Sequence, residues 1–354
     1  MLIPPYSNRL ADLRASMKGM DGLLVTGTSN LRYLTGFTGS SGFALVTRRE
    51  SILSTDFRYM EQAKKEAAGW EIAHERGRVQ TLRRLQRKTG IVTLGFETSV
   101  SYEFYRRLKK AGRLRPVKGL VERLRAVKDS HELGLIKEAV RRAEAAFMDV
   151  LPRIKAGVSE RAIALMLEGR LKKIGCKRLP FDIIVASGPN SAMPHAGVTQ
   201  RRLRPGDLVI VDWGGEAGGY CSDITRTLLL KGPGGAEKQR IYEVVLEAQK
   251  KAIGAVRPGE NSKEIDNTAR NIIKKAGYGK RFGHGLGHGV GLDVHELPSI
   301  SATRRGKLRQ GMVFTVEPGI YLPGVGGVRI EDMVVVGEKS GLRLTSLPRG
   351  LKPL

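Results

Sequence analysis

The sequence predicts an α/β domain over residues 1–126, followed by an α+β domain over residues 127–354 with a pseudo-twofold internal repeat. Three observations predict it. The first part alternates short Gly-bounded apolar runs with segments of helical spacing. A helix start stands at Asp129, and the second part contains two pairs of matching segments. A chain of 354 residues is long enough for two domains at roughly 100–200 residues each. Its 41% hydrophobic content suffices for a core without disulfide staples.

In the first domain GLLVTG (Gly22–Gly27), GFALVT (Gly42–Thr47) and IVTLGFE (Ile91–Glu97) read as buried strands. Ser7–Gly19, Arg58–Ala68 and Tyr102–Ala111 carry helical spacing. The boundary falls at Ala126–Ser130, where Asp129 and Glu132 have the spacing of a capping box. A long helix is expected from there to about Pro152.

The repeat organises the second domain. KAGVSERAIALMLEGRLKKIG (Lys155–Gly175) answers RPGENSKEIDNTARNIIKKAG (Arg257–Gly277), each with a glycine before a helix and another closing it. LRPGDLVIVDWG (Leu203–Gly214) answers LRQGMVFTVEPG (Leu308–Gly319), and each copy carries a carboxylate at the end of an apolar strand. Two copies do not make a solenoid, so the halves are expected to face each other within one domain.

Those strand-end acids begin the chemistry. Asp212 ends one strand, and after the turn-prone GGEAGG a β-branched strand returns carrying Asp223. A hairpin there brings the two aspartates together across adjacent strands. Glu317 ends the matching strand, and VRIEDMVVV returns with Arg329, Glu331 and Met333 on one face. Between the halves lies FGHGLGHGVGLDVHE, with glycine at every second position from Gly283 to Gly291. Each would cost about 1 kcal/mol in a helix relative to alanine. An extended strand is expected instead, with His284, Leu286 and His288 on one face and bare backbone on the other. Buried carboxylates side by side repel unless they are protonated or bridged by cations. Four such acids and an imidazole suit two divalent ions of the Mn, Co, Fe or Zn kind. No P-loop, GxSxG elbow or HExxH is present, and after His295-Glu296 Pro298 would break the helix that a zincin requires.

At these residues the chain resembles the pita-bread metallopeptidases, Xaa-Pro branch (aminopeptidase P and prolidase). The strings PHAG, VDWGG, SDITRT, GHGLGHGVGLDVHE, VEPGIY and GVRIED carry the likeness. SNLRYLTGFTGSSG and STDFRYMEQA extend it to a creatinase-type N-terminal domain. The resemblance implies Asp212, Asp223, His288, Glu317 and Glu331 as metal ligands. Asp212 then holds one ion, His288 and Glu317 the other, and Asp223 and Glu331 bridge both. It implies two divalent ions per chain, Mn ahead of Co, Zn or Fe. His195 and His295 would meet substrate, Glu317 would move the proton, and Arg329 would support a proton network. Substrates would be short peptides with proline second, and the chain a cytoplasmic homodimer. Several prolidases carry HE-x-P-R after the catalytic histidine, whereas this chain reads HELPS with Ser299 at that place. An aminopeptidase that accepts longer peptides is therefore expected ahead of a dipeptidase.

Composition bounds the alternatives. Lys+Arg 61 against Asp+Glu 35 gives a formal charge of +26, with clusters at Arg83–Lys88 and Arg106–Arg115. These lack interleaved aromatics, so nucleic acid is not the expected partner. A non-catalytic binding protein on this fold would have lost metal ligands, and all five are present. Two cysteines without CxxC spacing point to a reducing compartment, and no apolar run is long enough to span a membrane.

Overall fold

The computed structural model describes residues 6–109, 112–233 and 235–351. The chain divides into two compact units, Met1–Arg125 and Ala126–Leu354.

The first unit is a six-stranded mixed sheet with helices. Its strands are β1 (Gly22–Val25), β2 (Phe43–Thr47), β3 (Ser51–Thr55), β4 (Glu71–His74), β5 (Thr93–Glu97) and β6 (Arg113–Val117), in the order β4-β3-β2-β1-β5-β6. The central strands are apolar because both faces are covered, and Leu24, Phe43, Leu45, Ile52, Leu94 and Phe96 form the core. Helices α1 (Tyr6–Ser16), α2 (Thr28–Thr35), α3 (Met60–Glu66), α4 (Arg78–Thr89), α5 (Tyr102–Leu108) and α6 (Leu120–Arg125) surround them. The basic clusters prove to be structural elements as well. RRLQRK lies on α4, which buries Leu82 and Leu85, and β6 is an edge strand whose arginines and Pro116 suit an open edge. The helix expected over Arg58–Ala68 begins as a 3-10 turn at Phe57–Tyr59 and becomes α3 only at Met60. The end of the helix expected to reach Ala111 lies partly outside the described residues.

The second unit repeats itself. Each half has a long helix, α7 (Ser130–Val150) or α9 (Ala236–Ala255), then a 14-residue helix, α8 (Glu160–Lys173) or α10 (Ser262–Lys275). Gly175 and Gly277, both at positive φ, follow those shorter helices, where a side chain would be strained. The capping box at α7 is present, with the Glu132 N–H donating to Asp129 Oδ1 at 2.9 Å and the Asp129 N–H to Glu132 Oε2 at 3.0 Å. In the first half β7 (Ile184–Ser187), β8 (Leu208–Trp213) and β11 (Ile224–Leu229) form one antiparallel sheet, with a small hairpin of β9 (Glu216–Ala217) and β10 (Tyr220–Cys221) inserted. In the second, β12 (Gly287–Gly289), β14 (Val313–Val316) and β17 (Asp332–Val336) correspond, with β15 (Gly319–Leu322) and β16 (Gly326–Arg329) as the insert. Edge strands β13 (Glu296–Ile300) and β18 (Gly341–Arg343) extend that second sheet. Phe314, Val316, Ile320, Val328 and Val334 pack with residues of α9 and α10 into one core.

Candidate metal centre

The inserted hairpins place the acids. Trp213 anchors the end of β8 by stacking on Phe147 at 4.3 Å and donating its indole N–H to the Ala143 carbonyl at 2.9 Å. Asp212 therefore stands on a strand end fixed against α7. The register differs from the simple hairpin expected. Asp212 lies opposite Thr225, because β9 and β10 occupy the turn and Asp223 precedes β11. The second half follows suit. Val316 pairs with Asp332, so Glu317 and Glu331 flank the last paired residues of β14 and β17.

The glycine-rich segment is corrected in extent and upheld in its reason. Only Gly287–Gly289 is strand. A Cβ on Gly287 would stand 1.9 Å from the Thr315 carbonyl oxygen, and one on Gly289 2.1 Å from that of Leu297. The bare backbone is thus required because β12 is pressed between β13 and β14.

All eight singled-out residues line one cavity of about 480 Å³: Asp212, Asp223, His288, Glu317 and Glu331, with His195, His295 and Arg329. Asp223, His288 and Glu331 each offer a ligand atom within 4.8 Å of the others. His288 Nε2 lies 3.3 Å from Glu317 Oε1 and 3.6 Å from Asp223 Oδ2. Its Nδ1 is 3.2 Å from the Gly289 carbonyl, which can only accept, so Nδ1 donates there and Nε2 is the ring nitrogen that faces the acids.

His284 separates from His288 on the same criterion. Its Nδ1 faces the Gly285 carbonyl at 2.8 Å, and its Nε2 meets the Tyr321 hydroxyl at 3.0 Å. That hydroxyl accepts from Arg329 Nη1 at 3.1 Å, so its proton goes to His284 and no ring nitrogen is left over. Tyr321 was not singled out, although it ends the string VEPGIY. Thr225 and Thr315 were also missed. Thr225 donates to Glu331 Oε2 at 2.7 Å, and Thr315 donates to Glu317 Oε1 at 3.1 Å. Neither hydroxyl follows a spacing that marks it in the sequence.

Electrostatically the cluster is unfinished. Burial and then the neighbouring carboxylates push Asp223 and Glu331 well above the ordinary carboxylate range. Burial also raises Asp212, although the Arg329 guanidinium opposes it and holds Oδ2 at 2.7 Å. Glu317 goes the other way. Burial pushes it up, but the His288 hydrogen bond and charge bring it down to about 2. Burial lowers His295, helped by the His288 ring 4.1 Å away. Asp212 Oδ1 is buried without a hydrogen-bond partner. An orphaned carboxylate oxygen beside three further buried acids and an imidazole is the donor set of divalent cations, and the residues present fit such ions.

This arrangement is matched by known proteins. The profile of metallopeptidase family M24 covers residues 134–338, a stretch that holds every residue of the cluster. The chain belongs to metallopeptidase family M24. The creatinase/prolidase N-terminal domain matches residues 9–127 of this peptidase. The chain is 39% identical over 336 residues to the Xaa-Pro dipeptidase of Pyrococcus horikoshii, covering 94% of both chains. Among solved structures, an Xaa-Pro dipeptidase from Bacillus anthracis superposes with TM-score 0.96 at 40% identity, covering 99% of this chain and 100% of that one. An X-Pro aminopeptidase from Thermotoga maritima superposes with TM-score 0.89 at 37% identity, covering 98% and 100%. The fold is therefore the pita-bread fold with a creatinase-type N-terminal unit. No helix among the described residues is long and apolar enough to cross a membrane.

Proposed function

We infer that this M24 peptidase hydrolyses the Xaa-Pro bond at the N-terminus of short peptides. The observation that carries it is the meeting of five ligand-type side chains with His195, His295 and Arg329 around one cavity. Asp212, Asp223, His288, Glu317 and Glu331 would hold two divalent ions, Mn ahead of Co, Zn or Fe. When bound, such ions supply Lewis acidity and bring the pKa of a water towards neutrality. Glu317, which lines the cavity beside His288, is the base that takes the attacking water's proton and delivers it to the leaving nitrogen. His295, whose protonation burial disfavours, donates an N–H to the carbonyl oxygen as charge develops there. His195 contacts the substrate from the opposite stretch of chain. Arg329 keeps Asp212 oriented through its guanidinium fork.

A proline nitrogen carries no proton, so the ring must be recognised by shape. Phe181, Ile184 and Pro194 supply an apolar wall to the same cavity. Ser299 lines it too, while Arg304 and Arg305 are exposed and do not. Among the described lining residues the single guanidinium is that of Arg329, already committed to Asp212. A dipeptide's proline carboxylate thus has no free arginine to grip, which supports activity on longer peptides. The dipeptidase reading stays as a second one, because the relatives from P. horikoshii and B. anthracis carry that name. kcat/KM for an Xaa-Pro dipeptide and an Xaa-Pro-Xaa tripeptide, with Mn added, separates them. A tripeptide at least as good as the dipeptide is expected, and a dipeptide preference of about tenfold or more reverses the reading. No cleavage of either peptide removes the Xaa-Pro assignment.

The chain is further read as a cytoplasmic homodimer. Cys176 and Cys221 are free and buried, in keeping with a reducing compartment. Closed twofold pairs are the commonest oligomers. Light scattering at micromolar concentration should give twice 38.8 kDa, and a monomer alone would refute the dimer.

A further inference from the structure

Arg83 of one basic cluster of the first unit and Arg106 and Arg107 of the other meet in the fold. A cleft of about 770 Å³ opens between the start of α4 and the helix α5. Its walls carry Arg76, Arg78, Arg83, Arg106 and Arg107, and Glu103 is the one acid among the lining residues. Glu103 is engaged by Arg107, and Arg78 lies 3.5 Å from Glu75. Arg76, Arg83 and Arg106 have no carboxylate partner among the described residues, and Arg83 Nε is buried without a hydrogen-bond acceptor.

Some exposed cations of the chain pair with acids one helical turn away, as Lys64 does with Glu61, Arg141 with Glu138 and Lys172 with Glu168. Here like charges gather in a concave space where they repel, and a buried donor goes unsatisfied. Guanidinium groups stay charged at any physiological pH, so deprotonation cannot relieve the cluster. A multiply charged anion with several acceptor oxygens answers both the gathered charge and the unsatisfied donor. The first turn of α4 has no side-chain cap and lines the same cleft, which adds backbone N–H groups of the same polarity.

The geometry points to a second binding site of this protein, for a small polyphosphate, in the arginine cleft between α4 and α5. Phosphate oxygens match the planar forks of Arg83 and Arg106, and two or more linked phosphates engage both. A nucleic-acid track is disfavoured, because such tracks interleave several stacking rings with the cations and Phe104 is the single aromatic lining the cleft.

Equilibrium dialysis of the full, metal-loaded chain against labelled tripolyphosphate tests this site. Saturable binding of one anion per chain is expected. Arg83→Ala with Arg106→Ala should weaken it by about tenfold or more. Arg84→Ala with Arg87→Ala removes the same charge from exposed positions of α4 that do not line the cleft, and should change binding by no more than about twofold. None of the four arginines belongs to the metal centre, and a thermal melt of each variant reports that the first unit folds. Any withdrawal of metal by the probe is the same in all three proteins. Equal weakening in the two variants, or no saturable binding below about 1 mM, overturns the site. So does a single-stranded oligonucleotide that binds more tightly than tripolyphosphate and is not displaced by it.

Discussion

The two halves of the second unit share a scaffold and differ in charge. Each offers a 14-residue helix, three antiparallel strands, an inserted hairpin and two acids at corresponding strand ends. The first half contributes two aspartates and, from its paired strands, no imidazole. The second contributes two glutamates and His288, and His288 is what separates Glu317 from the other three acids. The halves also serve each other. Thr225 of the first donates to Glu331 of the second, and Arg329 of the second donates to Asp212 of the first. A duplicated backbone thus places four carboxylates symmetrically, while unlike neighbours give them unlike proton affinities.

The severest way to break this comparison is at its centre. Asp223 and Glu331 are the acids, one from each half, that gather with His288. Asp223→Asn and Glu331→Gln should each lower kcat by about 10³-fold or more, with metal content falling below two per chain. Full activity in either variant, or in a metal-stripped preparation, would sink the two-metal reading. Next come the histidines, which have no counterpart on the paired strands of the first half. His288→Ala should lose metal with activity, whereas His295→Ala and His195→Ala should keep both ions while kcat drops by about 10²–10³-fold. Metal loss on changing His284 but not His288 would contradict the tautomer argument.

The exchanged hydrogen bonds sharpen the comparison further. Arg329→Lys keeps the charge but loses the fork that reaches Asp212, Tyr321 and Thr225 together. A fall in kcat of about 10–100-fold with metal retained is expected, and Thr225→Val should cost less, about tenfold. An unchanged kcat in both would mean that each half orients its own acids.

The smallest effect is a pH dependence of the metal-free chain. Asp223 and Glu331 have folded pKa values above their ordinary 3.8 and 4.5 because burial and neighbouring charge penalise ionisation. Stability from such groups is full below the unfolded values and is lost as pH rises through the folded ones. Melting temperature should therefore fall by a few degrees from mildly acidic to neutral pH, at about 2–4 °C per kcal/mol. Glu317, at about 2, acts oppositely, and its contribution is lost only as pH falls from its ordinary 4.5 towards that value. Asp223→Asn with Glu331→Gln should flatten the slope, and restoring metal to the natural chain should abolish it. A slope unchanged by the double substitution would place its origin elsewhere.

What could be read from the sequence is what short-range pattern encodes. The capping box at Asp129 and Glu132, the Gly-closed helices at Gly175 and Gly277, and the acids ending β8 and β14 all arise within one or two turns of chain or a single strand. Their duplication made the repeat legible, and with it the acids and histidine of the candidate site. Tertiary structure decided the rest. The placement of Asp212 opposite Thr225 depends on a hairpin inserted between strands, and nothing in the local alternation of apolar residues counts that insertion. What separates His284 from His288 depends on Tyr321, 37 residues later. Arg83 and Arg106, from two separate basic runs, face one cleft only because α4 and α5 pack on the same sheet. Periodicity reports which side of an element is buried, whereas contacts between distant elements follow from how the buried sides are stacked.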